Sequence, residues 1–117
     1  MLTSDSATAD HPAQWHDIAA CVDIPEGKMQ GFVVAGRDVV VCHTKDSWHA
    51  VDNICSHAFV KMDEGRLRGF RLICPLHGAS FDCRSGAVLG APATKPLACW
   101  QVRIQGERIE VALPATP

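Results

Sequence analysis

Polar and apolar residues alternate most cleanly near the end of the chain. Trp100, Val102 and Ile104 are separated by polar side chains, Gln105-Gly106-Glu107 reverses the chain, and Ile109, Val111 and Leu113 resume the alternation. A period of two belongs to a strand with one buried face, so this stretch predicts a β-hairpin. Phe32 to Ala35 and Val39 to Cys42 flank a turn at Gly36-Arg37 and predict a second hairpin. Phe81 and Cys83 lead through Arg84-Ser85-Gly86 into Ala87-Val88-Leu89, a third tight reversal. No apolar period of 3.6 persists over three turns, and turn residues recur at intervals of about ten residues. That is the rhythm of an all-β sandwich or barrel.

Around these hairpins the chain changes character twice. Residues 1–13 are rich in Ser, Thr, Asp and Ala, lack a hydrophobic period, and predict a flexible N-terminal segment, with a single domain over 14–114. Residues 53–93 carry five of the nine glycines and read as an elaborated loop region set on an antiparallel β base.

Composition narrows the function classes. The 117 residues are 47% apolar with a net charge of -2, which leaves no basic stripe for nucleic acid or an anionic membrane surface. Residues 1–13 hold no Lys or Arg and no apolar run, and the longest apolar stretches are too short to cross a bilayer. A cytoplasmic protein is the expectation, and there six cysteines are thiols or metal ligands rather than disulfides.

Four of the chemistry-bearing residues form two short pairs. Cys55-Ser56-His57 and Cys74-Pro75-Leu76-His77 read C-x-H and C-x-x-H, with residues 58–73 between them. Two thiolates and two imidazoles complete a four-ligand set, which by composition alone suits tetrahedral zinc. Zinc fingers, however, group their cysteines together and their histidines together, whereas here each loop offers one of each. That symmetry suits two metal ions, with both thiolates on one iron and both imidazoles on the other.

The motif C-x-H, sixteen residues, C-P-x-H-G, then Phe81-Asp82 and a turn at Gly86, resembles that of Rieske-type ferredoxins. The likeness runs from about Trp15 to Leu113 and includes Asp52-Asn53-Ile54 before the first loop and Pro92 after the second. It implies a Rieske iron-sulfur domain, an antiparallel β sandwich base with a cluster-binding loop subdomain. It implies one 2Fe-2S cluster bound by Cys55, Cys74, His57 and His77, the cysteines on the inner iron and the histidines on the outer. It also implies the work of a low-potential one-electron carrier in an aromatic-ring dioxygenase system, itself not an enzyme. The partners are then a flavin-dependent ferredoxin reductase and a terminal Rieske non-haem iron oxygenase. Alternatives are the small Rieske-like subunit of a nitrite reductase and a zinc-stabilised interaction module.

The remaining candidates carry less. Cys42 and His43 are neighbours on a predicted strand, so their side chains face opposite ways and cannot chelate one ion. Cys21, Cys83 and Cys99 lie among apolar residues and read as small buried hydrophobes. His11, His16 and His49 have no ligand spacing. Gly90-Ala91-Pro92 resembles the proline loop that covers the cluster, and Ala58, Phe59, Val60, Leu76 and Pro92 predict an apolar docking rim. By the same resemblance, Val60 and Leu76 stand where high-potential members have a disulfide, and Ala79 and Phe81 where they have a Ser and a Tyr.

Overall fold

The computed structural model describes residues 13–45, 47–56, 59–76 and 78–114. Ten strands run in chain order as β1 (Ala13–Ala20), β2 (Met29–Val34), β3 (Arg37–Thr44), β4 (Ser47–Asp52), β5 (Arg66–Arg68), β6 (Arg71–Ile73), β7 (Ser80–Asp82), β8 (Val88–Gly90), β9 (Cys99–Gln105) and β10 (Arg108–Pro114). Short 3-10 turns at Cys21–Asp23 and Met62–Glu64 are the helical elements among the described residues. The larger sheet has the order β1-β10-β9-β4-β3-β2, the smaller β5-β6-β7-β8, and every pairing is antiparallel. The two edges of the larger sheet, β1 and β2, also touch, so it curls on itself.

The expected hairpins are present. Ile109 pairs with Ile104 and Val111 with Val102 across the β9–β10 turn. The β2–β3 turn lies one residue earlier than the sequence suggests: Ala35 and Gly36 occupy it, with φ of 52° and 81°, and Arg37 already belongs to β3. Two successive positive φ angles define the turn whose twist matches a hairpin, and that geometry prevails although alanine is not the residue best suited to it.

β3 organises the core. The run Val39, Val40, Val41 and Cys42 is completely buried, which requires cover on both faces of the strand. Val39 and Val41 point into a cluster with Ile24, Ala50, Ile109, Val111 and Leu113 inside the curled sheet. Val40 and Cys42 point the other way, into a cluster with Val51, Met62, Leu72 and Phe81 that joins the two sheets. Residues 53–93 are therefore more regular than their sequence suggests, since they supply a four-stranded sheet of their own that packs on the back of β3 and β4.

Asn53 fixes the start of that second layer. It is buried and bonded at both ends of its amide: its Nδ2 donates to Asp38 Oδ1 (2.9 Å), and its Oδ1 accepts from the Asp63 N–H (2.9 Å). Its own N–H donates to the Asp38 carbonyl (2.9 Å), and its carbonyl accepts from the Met62 N–H (2.6 Å). One side chain thus ties β3 to the turn that follows the first Cys/His pair. Asn53→Ala removes both side-chain bonds from two half-buried partners, one of them a carboxylate, and urea unfolding should show a loss of about 1–3 kcal/mol.

Candidate functional site

Two hairpin loops from different parts of the chain carry the predicted residues. The first projects from the bridge between Ile54 and Lys61, the second from the β6–β7 pair between Ile73 and Ser80. Each closes in the same way. The Cys55 N–H donates to the Val60 carbonyl (2.9 Å) and the Cys74 N–H to the Ala79 carbonyl (2.7 Å), a bond to the fifth residue onward in both cases. A repeated local geometry explains why two unrelated stretches of sequence present a cysteine at the same point of each loop.

The structure brings those two cysteines together. Cys55 is 3% exposed and Cys74 2%, both within the core cluster between the sheets, where their thiols are neighbours. Burial pushes the Cys74 thiol above its ordinary pKa, opposed by the Leu76 N–H that points at its sulfur (3.4 Å), with the Cys55 thiol adding to the rise. Burial of that kind favours the neutral thiol, and a thiophilic metal ion reverses the preference. His57, His77 and Ala58 lie outside the described residues, and among the described residues no three His, Cys, Asp or Glu side chains converge on one point.

Glycines permit the close approach of the loops. Gly78 has φ +72° and nothing near the place of a Cβ, so it serves the turn. Gly65 is packed: a Cβ there would overlap the Ile73 carbonyl oxygen and lie 3.1 Å from Pro75 Cδ. The turn after the first loop therefore rests directly on the backbone of the second. Gly90 meets the Ser80 hydroxyl, which would stand 2.7 Å from a Cβ. That hydroxyl accepts a hydrogen bond from Arg71 Nη1 (2.6 Å), whereas Ala79 and Phe81, on either side along the strand, are fully buried. Around the loops, Phe59 is 99% exposed, Leu76 and Pro92 are exposed, and Val60 is half-buried against the core.

The other candidates separate as well. His43 stacks on Trp48 at 3.7 Å, and its Nδ1 donates to the Ile24 carbonyl (2.8 Å), a structural role on the face opposite Cys42. His49 lies edge-on to Phe70, and burial holds its pKa below the ordinary value. His11 falls outside the described residues. Cys83 is buried as expected and Cys21 half-buried, but Cys99 is exposed at the start of β9, with its thiol donating to the Arg84 carbonyl (3.3 Å). Asn53 belonged to the stretch that carries the resemblance, but its anchoring role did not show there, and Gly65 and the Arg71–Ser80 pair had no sequence signal of their own, because each matters through a contact with a distant part of the chain.

The model of the family described as Rieske [2Fe-2S] domain matches residues 14–101. The ferredoxin component of the naphthalene 1,2-dioxygenase system of Pseudomonas aeruginosa is 35% identical over 100 residues, 86% of this chain and 96% of that protein. The ferredoxin component of the naphthalene 1,2-dioxygenase/salicylate 5-hydroxylase systems of a Ralstonia species is 36% identical over 81% of this chain and 91% of its own length. Among solved structures, the ferredoxin of carbazole 1,9a-dioxygenase from Nocardioides aromaticivorans superposes with a TM-score of 0.81 at 32% identity, covering 84% of this chain and 96% of that one. A complex of reduced oxygenase and oxidised ferredoxin in carbazole 1,9a-dioxygenase matches with a TM-score of 0.80 at 27% identity, over 84% of this chain and 92% of the other. A putative NADH-dependent nitrite reductase small subunit from Mycobacterium tuberculosis shares the fold, with a TM-score of 0.77 at 24% identity over 89% and 98% of the two chains.

If the contact at Gly65 sets the spacing of the two loops, Gly65→Ala should lower stability by about 1–3 kcal/mol in denaturant titration, because the Ile73 carbonyl cannot yield without shifting the second loop.

Proposed function

This chain belongs to the Rieske [2Fe-2S] domain family, and we propose that it works as the ferredoxin of a multicomponent dioxygenase system. In that role it takes one electron from a flavin-dependent reductase and delivers it to a terminal Rieske non-haem iron oxygenase. The observation that carries the reading is the match to dioxygenase ferredoxin components over nearly their whole length at 35–36% identity. The nitrite reductase subunit shares the fold alone. No helix among the described residues is long and apolar enough to cross a membrane.

The cofactor is one Rieske 2Fe-2S cluster, and the donor set fits it. Two neighbouring thiols, dry and with an amide N–H aimed at one of them, suit an iron that needs two thiolates. We assign Cys55 and Cys74 to that iron and His57 and His77 to the other. When bound, the cluster supplies reversible one-electron chemistry. The chain's residues do the rest: Cys55 and Cys74 hold sulfur donors away from water, Leu76 offers its N–H to the Cys74 sulfur, and the apolar rim meets the partner. Removing any of the four ligands should yield colourless protein, read as loss of visible absorbance after anaerobic reconstitution. Cys21→Ser and Cys99→Ser should retain the colour.

The potential should be low. Hydrogen bonds to cluster sulfur favour the more negative reduced state and raise the potential within a span of roughly -150 to +300 mV. Ala79 and Phe81 carry no hydroxyl, and that of Ser80 is turned toward Arg71, from which it accepts, and Gly90. Voltammetry of Ala79→Ser and Phe81→Tyr should give midpoints above that of the unmodified protein, which itself should lie near the negative end of the span.

The exposed side chain of Phe59, with Val60, Leu76 and Pro92, is the proposed docking rim, and Ala58 is assigned to it from sequence. Burying a phenylalanine contributes about 1.5–3 kcal/mol. Phe59→Asp should therefore slow oxidation by the terminal oxygenase about tenfold or more in stopped-flow at limiting partner, while the cluster spectrum is unchanged. Failure of the reduced protein to pass its electron to any dioxygenase terminal component would refute the assignment of partner.

A further inference from the structure

A second pair of thiols meets in the core, outside both ligand loops. Cys42 stands on β3, paired with Met29 and His49, and Cys83 follows β7 with its N–H bonded to the Phe70 carbonyl (2.9 Å). Both side chains are completely buried in the cluster that joins the two sheets, where the two thiols are neighbours. Nothing in the cluster site uses them, and they differ from positions 60 and 76, where Val60 and Leu76 exclude a disulfide.

We propose that Cys42 and Cys83 are an oxidation site, a dithiol that hydrogen peroxide converts into a disulfide joining the larger sheet to the cluster-bearing one. A disulfide needs two sulfurs in contact, and burial side by side in one packed core cluster supplies it. Cys83 is the attacking sulfur. It lies one residue beyond the end of β7, at the margin of the core, whereas Cys42 is held within β3. Cys83 also begins the turn that runs through exposed Arg84 and Ser85, so a small local opening admits peroxide to it.

The step balances. The Cys83 thiolate attacks one peroxide oxygen, the O–O bond breaks, and the departing hydroxide takes up a proton to become water, leaving a sulfenic acid on Cys83. The Cys42 sulfur then attacks the Cys83 sulfur, the S–O bond breaks, and the hydroxyl leaves as a second water with the Cys42 proton. Two thiols lose two electrons and two protons, and peroxide is reduced to two waters. The new bond closes a covalent ring over residues 42–83 that contains both Cys55 and Cys74, holding the cluster-bearing sheet on its base.

The test treats the holoprotein with equimolar hydrogen peroxide, alkylates it in denaturant, and maps disulfides by mass spectrometry without reduction. The expected result is a Cys42–Cys83 peptide pair as the main linkage, removed by dithiothreitol, with an unfolding temperature above that of the same sample after reduction. Cys42→Ser and Cys83→Ser should each abolish the linkage, and if either variant fails to fold the wild-type map decides alone. Alkylated Cys42 and Cys83, or linkages running through Cys99, Cys21 or Cys55–Cys74 instead, would overturn the proposal.

Discussion

The thiols of Cys55 and Cys74 sit against each other almost without water contact, and neither could be there unless two loops from separate parts of the chain were held in fixed relation. Paired buried thiols are poor stability elements on their own, since they leave weak donors in an apolar core. Their placement has to be imposed by the surroundings. The identical closure of the two loops, from the cysteine N–H to the fifth carbonyl onward, imposes it locally. Globally it is imposed by Asn53, which anchors the first loop to β3, and by Gly65, which lets the two loops touch.

Those anchors work because β3 is buried on both faces. Its alternate side chains belong to two cores, so the curled sheet and the cluster-bearing sheet share one rigid strand rather than resting on each other through a movable interface. At one edge of β4, Trp100 Nε1 donates to Asp52 Oδ1 (3.1 Å) while Arg37 lies over its ring at 4.8 Å, fastening β9 to the strand that leads into Asn53. An electron carrier benefits from such stiffness, because a site that moves little on changing charge loses little energy to reorganisation.

How much of this the sequence revealed depended on the range of the interactions. The β9–β10 hairpin was visible because one of its faces is solvated, which preserves a period of two. β1 was not: half of its residues are exposed and one alone is buried, and a bulge between Asp17 and Ala19 breaks the alternation. β4 was hidden by partial cover on both faces, and β5 and β6 are too short for any period to register. At the site, the Cys/His spacing pointed to Cys55 and Cys74, whose meeting the structure shows. Gly65 and the Arg71–Ser80 pair act across the fold and left no local trace. Cys42 was set aside as a partner for His43, correctly, yet its neighbour in space is Cys83.

The most direct measurement is a coulometric redox titration of the purified protein together with its metal content. The account predicts two irons per chain and the uptake of one electron per chain at a low midpoint potential. One zinc per chain and no reversible electron uptake would contradict it.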